Sequence, residues 1–254
     1  MRSSHMEDHW EPLGEGLRVL VSPSHGFNTD TLLLADFSLP KPRSRCADLG
    51  SGCGVIPLLW CRRARPESVL ALEVQEDAAE LAKTSAAANG MEDRIYTILG
   101  DVRDYKALLP HQSLDLIASN PPYFAPGTGA VSRNPERGLA RHSPTFQLSD
   151  LAEAAFYSLR HGGRLCICLP TVRLAEAVSL FHARSLEPKR LRLVQQRPGK
   201  PPYLFLLECR RGGGSSLAVE ETLTLTDGSG RYSREMERIY GDYLEINRKE
   251  PSNA

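Results

Sequence analysis

Short apolar runs separated by longer mixed segments recur along the chain, a pattern typical of strands and helices that alternate in a parallel α/β fold. Most runs have five or six residues, rich in Leu, Val, Ile and Ala, and turn residues bound them. The core strands predicted from them cover residues 45–49, 68–72, 95–99, 114–118, 164–169, 189–196 and 203–209. Helices are predicted between them, among others at residues 76–89, 148–161 and 173–183.

The ends of the chain predict smaller units around this core. An N-terminal part carries a strand at residues 17–21 and a helix that begins near Thr29 and Asp30. Beyond the core, Ser233 predicts the cap of a final helix whose apolar stripe docks on the domain. The expected organisation is a cloning remnant at 1–6, an N-terminal strand and helix at 7–42 that complete the binding site, a core at 43–211, and a linker with a docked C-terminal appendage at 212–254.

Composition excludes several classes of protein. The 254 residues hold 31 Lys and Arg against 31 Asp and Glu, so a strongly basic nucleic-acid binder is not indicated, although local patches remain open. No apolar run has the length of a membrane span. The six cysteines form no C-x-x-C pair, which favours reduced core residues in a cytoplasmic protein over disulfides or a metal site.

A glycine loop follows the first core strand. Its sequence is Asp48-Leu-Gly50-Ser51-Gly52-Cys-Gly54, and the glycines let the backbone turn sharply and approach a ligand closely. The spacing differs from the dinucleotide pattern G-x-G-x-x-G, so a pyrophosphate is not specifically indicated. A glycine loop alone is weak support for any ligand.

The next two strands also end in candidate binding residues. Glu73, followed by Val74, ends the second core strand, where a carboxylate is suited to accept hydrogen bonds from ribose hydroxyls. Asp101 and Val102 follow the third core strand and offer an acceptor and an apolar surface to a nucleobase. An ordinary solvated strand end is the alternative for Glu73.

The fourth core strand runs into Asn120-Pro121-Pro122-Tyr123-Phe124, in which two prolines hold the backbone extended. The Asn120 amide oxygen and the Pro121 carbonyl are suited to accept the two N–H bonds of a planar amine, and Tyr123 to stack on its ring. Such a corner would promote amine methylation by positioning and electrostatics. A plain proline-rich turn is the alternative.

Together these four strand ends resemble the class I S-adenosylmethionine-dependent methyltransferases. The resemblance implies a Rossmann-like, seven-stranded α/β fold with an antiparallel last strand, and S-adenosylmethionine as cofactor. Residues 27–37, 72–76 and 120–124, with Ala140-Arg141-His142, further resemble the bacterial tRNA adenine-37 N6-methyltransferases, which modify a valine tRNA beside the anticodon.

That family implies roles for further residues. The cofactor residues implied are Phe27, Thr29, Asp30, Asp48, Gly50, Ser51, Gly52, Gly54, Glu73, Val74, Asp101, Val102 and Asn120. The catalytic residues implied are Asn120, Pro121 and Tyr123. The family usually has an acidic residue after the Arg-His pair, where this chain has Ser143.

Two basic segments are candidate RNA contacts. The first is the long loop at residues 125–145, for which a solvated, flexible loop is the alternative. With the residue before it, it supplies the candidates Phe124, Arg133, Arg137, Arg141 and His142. In the second, residues 184–211, eight basic residues face only Glu187 and Glu208, and a solvated edge is the alternative.

The predicted activity is methyl transfer to an adenine N6 amine in RNA, with tRNA expected. Three alternatives stay open: an rRNA adenine or guanine methyltransferase, a protein glutamine methyltransferase, and a non-catalytic module that binds an adenosine ligand or RNA. No metal and no membrane partner is expected, and the sequence leaves the oligomeric state open.

Overall fold

The computed structural model describes residues 8–121 and 147–244. The strands are β1 (His9–Gly14), β2 (Leu17–Val21), β3 (Arg45–Leu49), β4 (Ser68–Glu73), β5 (Ile95–Leu99), β6 (Leu114–Ser119), β7 (Leu159–Pro170), β8 (Leu186–Gln195), β9 (Leu204–Arg211), β10 (Ala218–Val219) and β11 (Leu223–Thr224). The helices are α1 (Thr29–Phe37), α2 (Val55–Arg63), α3 (Glu76–Ala88), α4 (Tyr105–Leu108), α5 (Leu148–Ser158), α6 (Leu174–Ala183) and α7 (Arg234–Tyr240).

One sheet organises the described chain. Its order is β10-β8-β9-β7-β6-β3-β4-β5, with β11 also paired to β8. Strands β3 to β7 pair in parallel, whereas β9 lies antiparallel between β7 and β8. The predicted Rossmann-like sheet with an antiparallel last core strand is confirmed. The two-residue strands β10 and β11 extend it beyond seven.

The sheet is covered on both faces, which explains the apolar runs of its central strands. On β7, Leu165, Ile167 and Leu169 enter one core cluster, whereas Cys166 and Cys168 enter the cluster on the other face. This is the two-residue period of a strand, in which successive side chains point to opposite faces. All six cysteines are free and buried, as the sequence predicts.

The predicted end of α5 was wrong. The glycines at 162 and 163 indicated a helix running to His161, but α5 ends at Ser158 and β7 begins at Leu159. A side chain on Gly163 would lie 3.0 Å from the Leu114 carbonyl oxygen, so this glycine allows β7 to pass close to β6. The glycine signal therefore marks a close strand approach and a register shift.

The two ends of the described chain pack on the same core. Strand β1, which was not predicted, pairs with β2, and the Leu20 amide of that hairpin donates to Ser85 of α3 at 2.9 Å. Helix α7 begins where predicted, with Ser233 as its N-cap. Its Met236 and Ile239 side chains are buried in the cluster that also holds α1.

Candidate active site

The four predicted strand ends lie at one edge of the sheet, because β3, β4, β5 and β6 are parallel neighbours. Hydrogen bonds join them. The Gly50 amide donates to the Leu72 carbonyl at 2.8 Å, and the Gly100 amide donates to the Glu73 carbonyl at 2.8 Å. Ser119 at the end of β6 donates to Leu49 at 2.7 Å. The edge is therefore a connected surface, at the position where open α/β sheets bind ligands.

The three loop glycines serve different purposes. All have positive φ: +80° at Gly50, +53° at Gly52 and +88° at Gly54. A side chain on Gly54 would lie 3.1 Å from Ala82, so Gly54 is required where α2 starts against α3. At Gly50 and Gly52 a Cβ would meet no atom of the described residues within 4 Å. These two glycines thus leave room beside the backbone in the described part of the chain.

Glu73 holds this loop in place. Glu73 is buried, with only 5 % of its surface exposed. The carboxylate accepts from the amide of Gly52 at 2.9 Å, and from those of Val74 and Gln75 at 2.9 and 3.0 Å. A carboxylate has roughly four acceptor positions, so one remains for a further donor. The predicted ribose contact is compatible with this arrangement. Glu73 also has a structural role, holding the glycine loop, that the sequence did not indicate.

Asp48 lies next to Glu73 and differs from it in hydrogen bonding. It is 1 % exposed, and neither carboxylate oxygen has a hydrogen-bond partner in the described structure. Burial, and secondly the negative charge of Glu73, raise the pKa of Asp48 to about 8. The Ser51 hydroxyl beside it is likewise buried and without a partner there. An unpaired buried carboxylate is unfavourable by itself and becomes favourable when a donor or a cation reaches it.

Asp101 follows β5 and is held by a residue that the sequence analysis missed. Its carboxylate accepts from the Arg103 amide at 2.9 Å and from the Arg103 guanidinium at 2.9 and 2.5 Å. The hydrogen bond from the Arg103 side chain is the main cause that lowers the pKa of Asp101. Val102 beside it is buried, and Val74 across the edge is exposed.

The start of α1 meets the Asn120 corner. Asn28 caps the helix, because its side-chain oxygen accepts from the Thr31 amide at 3.1 Å. Asp30, one of the two residues expected near the start of this helix, therefore lies in its first turn and is not the cap. Asn120 donates through Nδ2 to the Thr31 hydroxyl at 3.4 Å, which ties the end of β6 to α1. Asn28 and Thr31 were missed as site residues, although an Asn two residues before an acidic first turn is a capping signal.

The C-terminal helix supports the same end of α1. The Thr29 hydroxyl and the Tyr240 hydroxyl lie 2.8 Å apart, and the Phe27 ring packs edge-on against Tyr243 with 6.0 Å between ring centroids. Burial raises the pKa of Tyr240 to about 12, so its hydroxyl stays protonated at neutral pH. No local sequence signal connects these residues, since Thr29 and Tyr240 are 211 positions apart.

The remaining predicted site residues divide into two groups. Pro121 is described and buried. Six predicted residues lie outside the described ranges: Tyr123, Phe124, Arg133, Arg137, Arg141 and His142. Within the described ranges, no group of three or more His, Cys, Asp or Glu side chains is arranged to hold a metal ion. Nor does any helix in this part of the chain have the length and apolarity needed to cross a membrane.

Comparisons with known proteins agree with this architecture. The family described as methyltransferase small domain matches residues 25–172, which includes the glycine loop and the Asn120 corner. A crystal structure described as a predicted O-methyltransferase from Agrobacterium tumefaciens superposes with a TM-score of 0.68, at 22 % identity, over 85 % of this chain and 97 % of that one. The fold and the family match define a methyltransferase of the Rossmann-like class.

Proteins related in sequence show which family of methyltransferases this chain resembles. A tRNA1(Val) (adenine(37)-N6)-methyltransferase of Porphyromonas gingivalis is 33 % identical over 222 residues, covering 83 % of this chain and 85 % of the relative. An enzyme of the same name from Tolumonas auensis is 33 % identical over 208 residues, covering 82 % and 84 %. The chain therefore belongs to the tRNA1(Val) (adenine(37)-N6)-methyltransferase family.

Proposed function

We propose that this protein transfers a methyl group from S-adenosylmethionine to the N6 amine of an adenine in tRNA, with adenine 37 of a valine tRNA as target. The position of Asn120 carries the proposal. It follows β6 directly, at the edge that holds Asp48 and Glu73, and its amide is tied to Thr31. The names of the sequence relatives supply the target nucleotide.

The residues at the glycine loop fit S-adenosylmethionine, a cation with an amino group and two ribose hydroxyls. The oxygens of Asp48 and the Ser51 hydroxyl, which have no partner among the described residues, supply acceptors for a cationic or donor group. Open space beside Gly50 and Gly52 allows close approach to the backbone. When bound, S-adenosylmethionine supplies an electrophilic methyl group.

The other cofactor contacts follow the same edge. Glu73 keeps acceptor capacity for a ribose hydroxyl, and Asp101 with Val102 offers an acceptor and an apolar side to the adenine, with Val74 across from them. At the start of α1, Phe27, Thr29 and Asp30 border the end of the site nearest Asn120, and Tyr240 and Tyr243 fix Thr29 and Phe27.

Asn120 and Pro121 act on the acceptor amine. Their two carbonyl oxygens accept the N–H bonds of the target nitrogen, which favours a tetrahedral nitrogen with its lone pair available. The bond from Asn120 Nδ2 to Thr31 fixes which end of the amide is the acceptor. Tyr123 stacks on the target base. A loop nucleotide suits this mechanism, because removing it from its stack costs at most about a few kcal/mol.

The proposal includes a cytoplasmic location. Its support is that all six thiols are free and buried, in keeping with a compartment where cysteines stay reduced.

Nucleoside mass spectrometry of bacterial total tRNA, incubated with the protein and S-adenosylmethionine, tests the proposal. We expect new N6-methyladenosine with the wild-type protein. Asn120→Ala should lower kcat by about 10²- to 10³-fold, the usual loss for one stabilising hydrogen-bond partner. Its cofactor affinity should stay within a few fold, which shows that the variant is folded.

The outcome also separates the alternatives. Methylated nucleosides in ribosomal RNA only, or a methylated glutamine in a protein acceptor only, would replace the proposed substrate while keeping the cofactor assignment. Cofactor binding without any methylated product would favour a non-catalytic module. Full activity of Asn120→Ala would remove the assigned role of its amide.

A further inference from the structure

Residues 196–203, which join β8 to β9, form a turn at the same edge of the sheet as Asn120. Strand β8 is parallel to β7 in direction, and β9 returns between them, so this turn lies where β7 ends: Pro170 pairs with Leu204. Ser119, the last residue of β6, pairs with Ile167 of β7, and Asn120 directly follows Ser119. The turn thus belongs to the rim of the active site.

A chain of neighbours connects the turn with Asn120. Tyr203, the last residue of the turn, donates its amide to Val194 at 3.0 Å, and its carbonyl accepts from Thr171 at 3.1 Å. Its phenol lies within the electrostatic reach of Asp30, whose charge adds to burial in raising the pKa of Tyr203. Asp30 precedes Thr31, which bonds Asn120. The turn therefore borders the α1 end of the site.

The turn carries two cations without carboxylate partners. Arg197 and Lys200 are exposed, and no ion pair or side-chain hydrogen bond joins either of them to the described residues. These two cations belong to the run 184–211, which the sequence offers as a candidate RNA contact.

Ion pairs and hydrogen bonds engage five of the other six cations of that run, all except Arg210 at the opposite edge of the sheet. Arg190 pairs with Glu220 at 3.0 Å and stacks on Phe37 at 4.1 Å, and Arg192 binds Glu235 through two bonds of 2.6 Å. The further engaged cations are Arg184 with Glu153, Lys189 with Ser216 and the Gly214 carbonyl, and Arg211 with the Leu159 carbonyl. The free positive charge of the run at this edge is confined to the turn.

The turn is also held in a fixed shape. Prolines at 198, 201 and 202 restrict φ, and Gly199 has a φ of +77°. The Lys200 amide donates to Arg197 at 3.1 Å within the turn. On one side the Thr226 amide and hydroxyl each donate to Gln196 at 3.0 Å, and on the other the Thr171 hydroxyl donates to Pro202 at 3.2 Å. A fixed loop loses little conformational freedom when it binds.

We propose that the turn of residues 196–203 is a docking surface for the sugar–phosphate backbone of the RNA substrate, with Arg197 and Lys200 each contacting a phosphate. This inference rests on the proposed function, since it assumes an RNA acceptor. Two cations that have no partner among the described residues, on a rigid loop beside the acceptor corner, are complementary to a polyanion. Contacts of this type position the nucleic acid without selecting its sequence.

The test compares two double variants with the same change in charge. Arg197→Glu with Lys200→Glu reverses the turn, whereas Lys41→Glu with Arg210→Glu reverses two exposed cations at the opposite edge of the sheet, which also have no side-chain partner in the described residues. Steady-state methylation of tRNA gives KM and kcat. Fluorescence anisotropy of labelled tRNA at several salt concentrations gives Kd and its salt dependence.

The turn variant should raise KM for tRNA about tenfold or more, with kcat at saturating tRNA within about twofold. Its slope of log Kd against log salt should fall by about 1.4 to 1.8, the value for two lost phosphate contacts. The opposite-edge variant should match the wild type. Unchanged S-adenosylmethionine affinity in both variants shows that they are folded.

Three other outcomes would contradict the inference in distinguishable ways. If the wild type methylates tRNA and the turn variant has the same KM and salt slope, the docking surface is wrong while the proposed function stands. If the wild type neither binds nor methylates RNA, the proposed function fails and the docking surface with it. Equal weakening by both double variants would indicate a general charge effect and also overturn the inference.

Discussion

Strands β3 and β4 lie side by side, each with a buried carboxylate in its last two residues, and the two carboxylates have opposite surroundings. Glu73 accepts three backbone hydrogen bonds, whereas the oxygens of Asp48 have no partner in the described structure. Leaving a buried polar group unpaired costs about 1–3 kcal/mol, more for a charged one. The comparison indicates that Glu73 holds the glycine loop, whereas Asp48 keeps acceptor oxygens that no described residue uses and that the proposed function assigns to the cofactor.

Removing the Glu73 carboxylate, which accepts three hydrogen bonds, should have the largest effect on stability. Glu73→Ala takes the acceptor from three amides, including the Gly52 amide that fixes the loop, and we expect a loss of about 3 kcal/mol in the free energy of unfolding. Urea denaturation measures it. Glu92→Ala, at an exposed position in the turn before β5, should change stability by less than about 0.5 kcal/mol. Equal effects of the two variants would remove the structural role of Glu73.

Neutralising the Asp48 carboxylate should instead change the pH dependence of stability and the affinity for the cofactor. Because the pKa of Asp48 is raised from 3.8 to about 8, the folded protein without cofactor keeps a proton that the unfolded chain releases between these values. This group's stabilising contribution is therefore lost as the pH rises toward about 8. Asp48→Asn should flatten that decline, so that its stability advantage grows from about pH 5 to about pH 9.

The cofactor affinity of Asp48→Asn supplies the second half of that test. A cationic cofactor favours the ionised carboxylate, so wild-type affinity for S-adenosylmethionine should increase as the pH approaches about 8. In the variant this increase should disappear, and binding near neutral pH should weaken about tenfold, or ~1.4 kcal/mol. Calorimetric titration across this pH range measures both. Parallel pH profiles in variant and wild type would contradict the account of Asp48.

Two hydroxyl groups, one hydrogen-bonded and one without a partner in the described residues, offer the same comparison with smaller expected effects. The Tyr240 hydroxyl bonds Thr29, so Tyr240→Phe should cost about 1 kcal/mol of unfolding free energy. The Ser51 hydroxyl has no partner in the described residues, so Ser51→Ala should leave stability within about 0.5 kcal/mol and weaken cofactor binding. Thermal denaturation and cofactor titration of both variants provide the test. A larger loss of stability in Ser51→Ala than in Tyr240→Phe would reverse the assignment.

Local patterns predicted the strands and the four strand ends well, because each depends on a few adjacent residues. An apolar run followed by Asp and three spaced glycines determines a strand and a tight loop regardless of the rest of the chain. The parallel arrangement then brings Asp48, Glu73, Asp101 and Asn120 to one edge.

Features that depend on distant partners were not predictable in this way. The glycines at 162 and 163 resemble a helix stop until the close approach of Leu114 is known. The cations Arg190 and Arg192 resemble a free basic surface until Glu220 and Glu235 are placed beside them. Sequence shows which charges exist, whereas the tertiary structure decides which of them stay available for a ligand.

The most direct test of the central claim is methyl transfer to a valine tRNA transcript compared with the same transcript carrying guanine at position 37. The account predicts a single N6-methyladenosine in the first transcript, none in the second, and at most a trace in either with Asn120→Ala. Equal methylation of both transcripts, or no methylation of the first by a protein that binds S-adenosylmethionine, would contradict it.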